Sequence, residues 1–227
     1  MHARDATEVV CLHGLGRGPS DWDAVRGALE RYGRGSAPAL PRHPDQAFAV
    51  AERAVQPGAI VVGHSMGGVI ALRIAAETSR PLRGIVLTGC AFPVARNGRS
   101  HRATATDYAA HRLAFLRSIR RCPRGVGPRA GTFAGLVAVA RVLGRPGRFD
   151  AMFGSITASV LIVHARDDHH VPVDFALAAA ARLPGWDIRV LESGGHHAHL
   201  RAPGEWLAAV EPWLAGLGAG AAPRSAW

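Results

Sequence analysis

Gly63-His64-Ser65-Met66-Gly67 follows the apolar run Ile60-Val61-Val62 and leads into the helix-forming stretch Met66 to Glu77. A serine set between two glycines at such a strand-to-helix junction sits on a sharp turn that presents its hydroxyl. Gly63 and Gly67 remove the Cβ atoms that would collide with neighbouring elements in so crowded a turn. A serine hydroxyl is a poor nucleophile at neutral pH, so chemistry at Ser65 needs a base to take its proton and donors to hold an oxyanion. The pentapeptide alone fits a plain β-α turn with a surface serine just as well. The partners decide.

Two later segments supply them. His164-Ala165-Arg166-Asp167-Asp168-His169-His170-Val171-Pro172 places two acids after the buried run Val160 to Val163. Glu192-Ser193-Gly194-Gly195-His196-His197-Ala198-His199-Leu200 places histidines after Ile188 to Leu191. Loops at the carboxyl ends of parallel strands are where ligands and catalysts gather. There a carboxylate can hold an imidazole, and the imidazole can take a serine proton. Serine, acid and histidine each follow a strand of their own, in that order.

The elements that must carry these loops read as an alternating series. Val9 to Leu12 predicts a strand, His13 to Pro19 a Gly-rich loop, and Asp21 to Tyr32 a helix with Ser20 and Asp23 as a capping box. Ser36 to Leu40 predicts an edge strand and Pro44 to Val55 a helix. After the strand at Ile60 to His64 and the helix at Met66 to Glu77 come strands at Gly84 to Thr88, Val160 to His164 and Ile188 to Leu191. Helices are predicted at Val173 to Leu183 and Pro203 to Leu217, where Trp206 and Trp213 read as core anchors. Continuous apolar strands such as Ile85-Val86-Leu87 suit a mostly parallel sheet of about six strands with helices on both faces, an α/β fold.

Between residues 92 and 156 the alternation stops, and helical stretches at Thr106 to Arg121 and Thr132 to Leu143 predict an inserted cap. The core would then be residues 1–91 and 157–217, with a frayed Ala-, Gly- and Pro-rich tail at 218–227. Composition fits one globular domain: 227 residues, 48% hydrophobic. No run is long enough to span a bilayer, and the polar start Met1 to Glu8 is no secretory signal, so a cytoplasmic location is expected. Cys11, Cys90 and Cys122 match neither a disulfide framework nor a zinc motif. The net charge of +10 comes without a single lysine, which excludes any lysine-dependent mechanism. Residues 92–150 hold twelve arginines against Asp107 and Asp150, so the whole excess lies in the expected cap.

The chain resembles the α/β-hydrolase superfamily over nearly all its length outside the cap, on the Gly-His-Ser-Met-Gly-Gly turn and the order of serine, acid and histidine. The resemblance implies that Ser65 is the nucleophile. It implies Asp168 as the acid, because Ala165-Arg166-Asp167-Asp168-His169-His170-Val171-Pro172 aligns with the family's Gly-x-x-Asp-x-x-Val-Pro, with Ala in place of Gly and Asp167 as the competitor. Gly195-His196 followed by Pro203 implies His196 as the base, with Arg201 where Glu is common. By the same pattern the backbone N–H groups of Leu15, just beyond His13-Gly14, and of Met66 form the oxyanion hole.

The expected activity is that of a serine esterase cleaving a carboxylic ester through an acyl-enzyme, without metal or cofactor. The alternatives are a thioesterase or acyltransferase acting on a CoA- or carrier-bound acyl chain, and a cofactor-free lyase, cyclase or non-hydrolytic member of the same fold. His13, Gly14 and His64 are candidates for the substrate-binding wall, His64 reading more simply as a packed neighbour of the elbow. Arg117, Arg120 and Arg121 cluster at the end of the first cap helix, followed by Arg124 and Arg129. They could dock an anionic substrate or an acidic carrier protein, although cations there also complement the helix dipole without a partner. Lacking interleaved aromatics, the patch is not expected to bind nucleic acid. The five histidines His169, His170, His196, His197 and His199 do not supply an obvious closed set of four zinc ligands.

Overall fold

The computed structural model describes residues 7–78, 80–92, 153–183 and 185–218. Among these residues six strands form one sheet: β1 (Glu8–Leu12), β2 (Arg34–Ser36), β3 (Ile60–His64), β4 (Gly84–Thr88), β5 (Ser159–Ala165) and β6 (Trp186–Leu191). Every pairing is parallel, in the order β2-β1-β3-β4-β5-β6. The order reverses between β1 and β3, so the loops leaving these two strands splay apart and open a crevice at their carboxyl ends. That crevice holds the segment after Leu12 and the turn at Ser65.

Alternate strand residues feed two cores. Val10, Leu12, Val61, Ile85, Leu87, Val160 and Ile162 pack beneath α2 (Pro44–Ala54), α3 (Met66–Glu77) and α4 (Val173–Arg182). Val9, Cys11, Ile60, Val62, Val86, Leu161 and Val163 pack on the other face against α1 (Asp23–Leu29) and the last helix, α6 (Pro203–Gly218), which follows the short α5 (Ala198–Arg201). Burial on both faces is why these strands read as unbroken apolar runs. Trp206 is fully buried there, while Trp213 lies at the margin and donates its indole N–H to Asp187 Oδ2 at 2.9 Å.

Several boundaries differ from expectation. The capping box at Ser20 does not form: Pro19 opens a 3-10 turn (Pro19–Trp22) behind an extended Gly18, with no side-chain cap. The expected Asp21-to-Tyr32 helix is therefore a 3-10 turn, then α1, then a second 3-10 turn at Glu30–Tyr32. The edge strand is Arg34–Ser36 rather than Ser36 to Leu40: the chain pairs with β1 only from Glu8 to Val10 and leaves the sheet after Ser36, although β1 itself runs on to Leu12. Cys11 and Cys90 are buried free thiols, and burial pushes Cys11 up to about 12. The two expected cap helices, Cys122, the arginines at 117, 120, 121, 124 and 129, and the tail from 219 lie outside the described residues.

Candidate active site

Ser65 has φ 52° and ψ −115°, the sole non-glycine residue with positive φ among those described. A conformation of this kind costs about 1–3 kcal/mol and persists only where the surroundings enforce it. Here they do. The Ser65 N–H donates to Thr88 O at 3.0 Å, and its carbonyl accepts from Gly68 N at 3.0 Å and Val69 N at 3.2 Å. A Cβ on Gly63 would lie 2.6 Å from Gly68 Cα, and one on Gly67 would lie 2.1 Å from the Leu12 carbonyl oxygen. Both glycines are thus required by close backbone approach.

His196 Nε2 lies 3.1 Å from Ser65 Oγ, and His196 Nδ1 lies 2.9 Å from Asp168 Oδ2. A neutral ring beside a carboxylate carries its proton on Nδ1, which leaves Nε2 to accept the serine proton. The Asp168 side chain is fully buried, yet both carboxylate oxygens have polar partners. Oδ1 accepts from His170 N at 2.8 Å and Val171 N at 2.9 Å, while Oδ2 faces His196 and, at 3.3 Å, His164 Nε2. Burial works to raise the Asp168 pKa, but the charge of His196 and the hydrogen bonds from His164, His196 and Val171 outweigh it and hold the carboxyl well below the usual carboxylate range.

Asp167 takes another position. It is exposed, and its Oδ1 accepts from the Gly195 N–H at 2.7 Å, which ties the acid loop to the histidine loop. Gly194 and Gly195 both have positive φ, so the chain turns sharply enough to bring His196 back over Gly89, where a Cβ would meet the His196 carbonyl at 2.8 Å.

The segment after β1 closes the other side. His13 is buried with both ring nitrogens engaged: Nδ1 donates to Gly14 O at 2.9 Å, and Nε2 accepts from Leu40 N at 2.9 Å. Burial lowers its pKa, consistent with a neutral ring that anchors a loop and offers a ligand no free nitrogen. Gly14 brings backbone against the serine, since a Cβ there would stand 3.4 Å from Ser65 Cβ. Leu15 occupies the second position of a turn closed by Arg17 N to Gly14 O at 3.2 Å, so the turn does not use its N–H. Met66 is the first residue of α3, where an N–H has no intrahelical acceptor and the helix dipole favours negative charge.

A cluster of neutral histidines surrounds His196. The His170 ring stacks on it at 4.8 Å and the His197 ring meets it edge-on at 5.1 Å. His199 is wholly buried between Trp22 and His64, at 4.5 and 4.7 Å. Burial first, then the neighbouring His196 charge, lowers His170 to about 4, His197 to about 2 and His199 to about 3. Among the described residues two groupings have metal-ligating geometry: Asp21 with His64 and His199, and Asp168 with His170 and His196. In the first, Arg17 already holds Asp21 bidentately at 2.7 and 2.8 Å; in the second, Asp168 and His196 hold each other. A cation would have to displace one of these partners.

His164 is the site residue that sequence reasoning missed. It sits within the buried run of β5, where a histidine reads as one more strand position. The available signal was a polar residue in an otherwise apolar parallel strand, four residues before an acid.

The family model described as "Alpha/beta hydrolase family" matches residues 9–210. Comparison with curated proteins finds no match. Among solved structures, the chain is similar to the esterase RhEst1 from Rhodococcus sp. ECU1013, with TM-score 0.65 and 20% identity over 94% of this chain and 92% of that one. It is also similar to a structure from a study of carboxylesterases of the Thaumarchaeon Nitrososphaera gargenis, with TM-score 0.70 and 17% identity over 94% and 92%. A bromoperoxidase from Bacillus anthracis superposes as well, with TM-score 0.69 and 16% identity over 92% of each chain. At these identities the likeness is one of fold.

Proposed function

The chain belongs to the alpha/beta hydrolase family, and from that premise we propose that it is a serine hydrolase cleaving a carboxylic ester through an acyl-enzyme. The observation that carries this reading is the unbroken chain of Ser65 Oγ, His196 and Asp168, at 3.1 and 2.9 Å, on a strained turn.

In the proposed reaction Ser65 Oγ attacks the ester carbonyl as its proton passes to His196 Nε2. The resulting oxyanion is held by the N–H groups of Met66 and Leu15, at the head of α3 and in the loop after β1. His196 then gives its proton to the departing alkoxide, which leaves as the alcohol. Water, activated by the same nitrogen, attacks the acyl-enzyme and releases the acid, returning the proton to Ser65 Oγ. Asp168 keeps the proton of the resting ring on Nδ1 and stabilises the imidazolium when both nitrogens are protonated. Its full set of backbone donors fixes it for that role.

Labelling with a fluorophosphonate tests the reading: the probe is expected to modify Ser65 stoichiometrically, and Ser65→Ala to abolish both labelling and ester turnover. A Ser65→Ala protein that keeps most of its activity would refute it. Running p-nitrophenyl esters beside acyl-CoA substrates in the same assay separates esterase from thioesterase.

A further inference from the structure

His64 precedes the nucleophile and is only 1% exposed, yet its ring touches both loops that the proposed reaction needs. Its Nε2 donates to the main-chain oxygen of His196 at 2.9 Å. Its Nδ1 has no hydrogen-bond partner among the described residues and lies over Gly14, where a Cβ would come within 2.7 Å of it. One imidazole thus spans from the loop after β1 to the loop after β6, with its backbone fixed at the end of β3. We propose that His64 is a positioning residue, a tether whose Nε2–H sets the height of His196 over Ser65 while its ring sets the approach of Gly14 and Leu15. This rests on the serine-hydrolase reading above.

The physical argument concerns which atom is held. The His196 side chain is oriented by Asp168 through Nδ1, but orientation alone does not place Nε2 at 3.1 Å from Ser65 Oγ. Placement requires the backbone of residue 196 to be fixed, and that backbone follows two glycines with positive φ, Gly194 and Gly195. Outside its own loop it is held by Asp167 on the Gly195 N–H just before it, by the close approach of Gly89 beneath, and, on residue 196 itself, by the His64 donor beside. The donor can act only in the Nε2–H tautomer. Nδ1 is then a bare lone pair facing Gly14 Cα, where no group other than hydrogen fits.

The tether predicts a split that mere core packing would not give. His64→Leu fills the space but removes the donor, and is expected to lower kcat about 100-fold, the scale on which small misplacements act, with KM little changed. His64→Gln restores an amide donor on a side chain of similar reach and should stay within about tenfold of wild type. Fluorophosphonate labelling rates should follow the same order, with melting temperature and circular dichroism checking the fold. If both variants fall equally, or neither falls, the proposal is overturned. Nitrogen-15 NMR of the wild-type imidazole at pH 7 provides a test that needs no variant: Nε2 should carry the proton and Nδ1 should be bare. A protonated Nδ1 overturns the tether. A wild type that the probe never labels overturns the hydrolase reading and the inference together, whereas a labelled wild type matched by His64→Leu overturns the inference alone.

Discussion

His164 Nε2 lies 2.8 Å from the carbonyl oxygen of Val171 and 3.3 Å from Asp168 Oδ2, so one ring on β5 holds both the acid and the loop that carries it. The bond to Val171 is the shorter, so the Nε2–H belongs chiefly to that carbonyl. His164→Leu strands a buried acceptor, which costs about 1–3 kcal/mol. The expected result is a melting temperature several degrees lower and kcat reduced about tenfold by loosened support of Asp168. Unchanged thermal melting of His164→Leu would show that the ring is only filler.

Asp167 and Asp168 are adjacent and chemically identical, but they do different things in the fold. Asp168→Asn removes the acceptor for His196 Nδ1–H and favours the wrong imidazole tautomer, a change that costs about 10⁴ in kcat where such triads operate. Asp167→Asn keeps an oxygen able to accept from Gly195 N, so kcat is expected to fall less than about fivefold, the loss being part of one hydrogen bond at an exposed position. Steady-state kinetics on a single ester, comparing the two variants, checks the assignment. A reversed order would move the acid role to Asp167.

Much of this arrangement was legible in the sequence because burial on both sheet faces forces apolar runs. Met66–Glu77 and Gly84–Thr88 begin and end where the pattern places them. The failures were local. Ser20 and Asp23 have the chemistry of a capping box, but Pro19 fixes a tighter turn one residue earlier. Arg34–Ser36 pairs with β1 through backbone alone, and a three-residue edge strand leaves no periodicity to read. His13, His64 and His164 could be found as histidines, but whether a histidine holds a loop or binds a substrate depends on which carbonyl it meets. That is a tertiary fact. His13 and His64, read from sequence as candidates for the substrate wall, point their nitrogens at backbone instead.

The buried histidines predict acid sensitivity well above the range of the carboxylates. His197 and His199 have folded pKa values of about 2 and 3, against about 6.5 in an unfolded chain. Below pH 6.5 the unfolded state binds protons that the folded state refuses, so stability falls as pH decreases from about 6.5 and levels off only near the folded values. Each such histidine contributes a slope of about 1.4 kcal/mol per pH unit in that window. The depressed Asp168 acts in the same direction but lower: its contribution is present above about pH 3.9 and is lost as pH falls from there. Urea melts from pH 8 to 4 should therefore be flat above pH 7 and fall steadily below 6.5. His199→Phe removes two buried nitrogens that have no partner among the described residues, keeps a ring between Trp22 and His64, and should shallow the slope without loss of stability at pH 7. An equally steep slope in that variant would mean that His199 protonates freely in the fold.

Two glycine-to-alanine changes should have opposite signs, because the same methyl group meets backbone in one place and open solvent in the other. At Gly67 it would stand 2.1 Å from the Leu12 carbonyl oxygen, an atom of β1, which is hydrogen-bonded on both sides by β2 and β3. Neither the strand nor α3 can retreat without breaking the β1–β3 pairing that runs from Val9 to Leu12. Gly67→Ala is therefore expected to cost at least about 3 kcal/mol, the upper range for overpacking, and to yield insoluble or poorly folded protein. At Gly27, on the exposed side of α1, a Cβ meets nothing within 4 Å. Gly27→Ala should stabilise by about 0.5–1 kcal/mol, through helix propensity and a less flexible unfolded chain. Paired denaturant melts decide the matter: a soluble Gly67→Ala with wild-type stability would mean that the elbow and β1 can separate, and the tight crossing that holds Ser65 at positive φ would lose its physical basis.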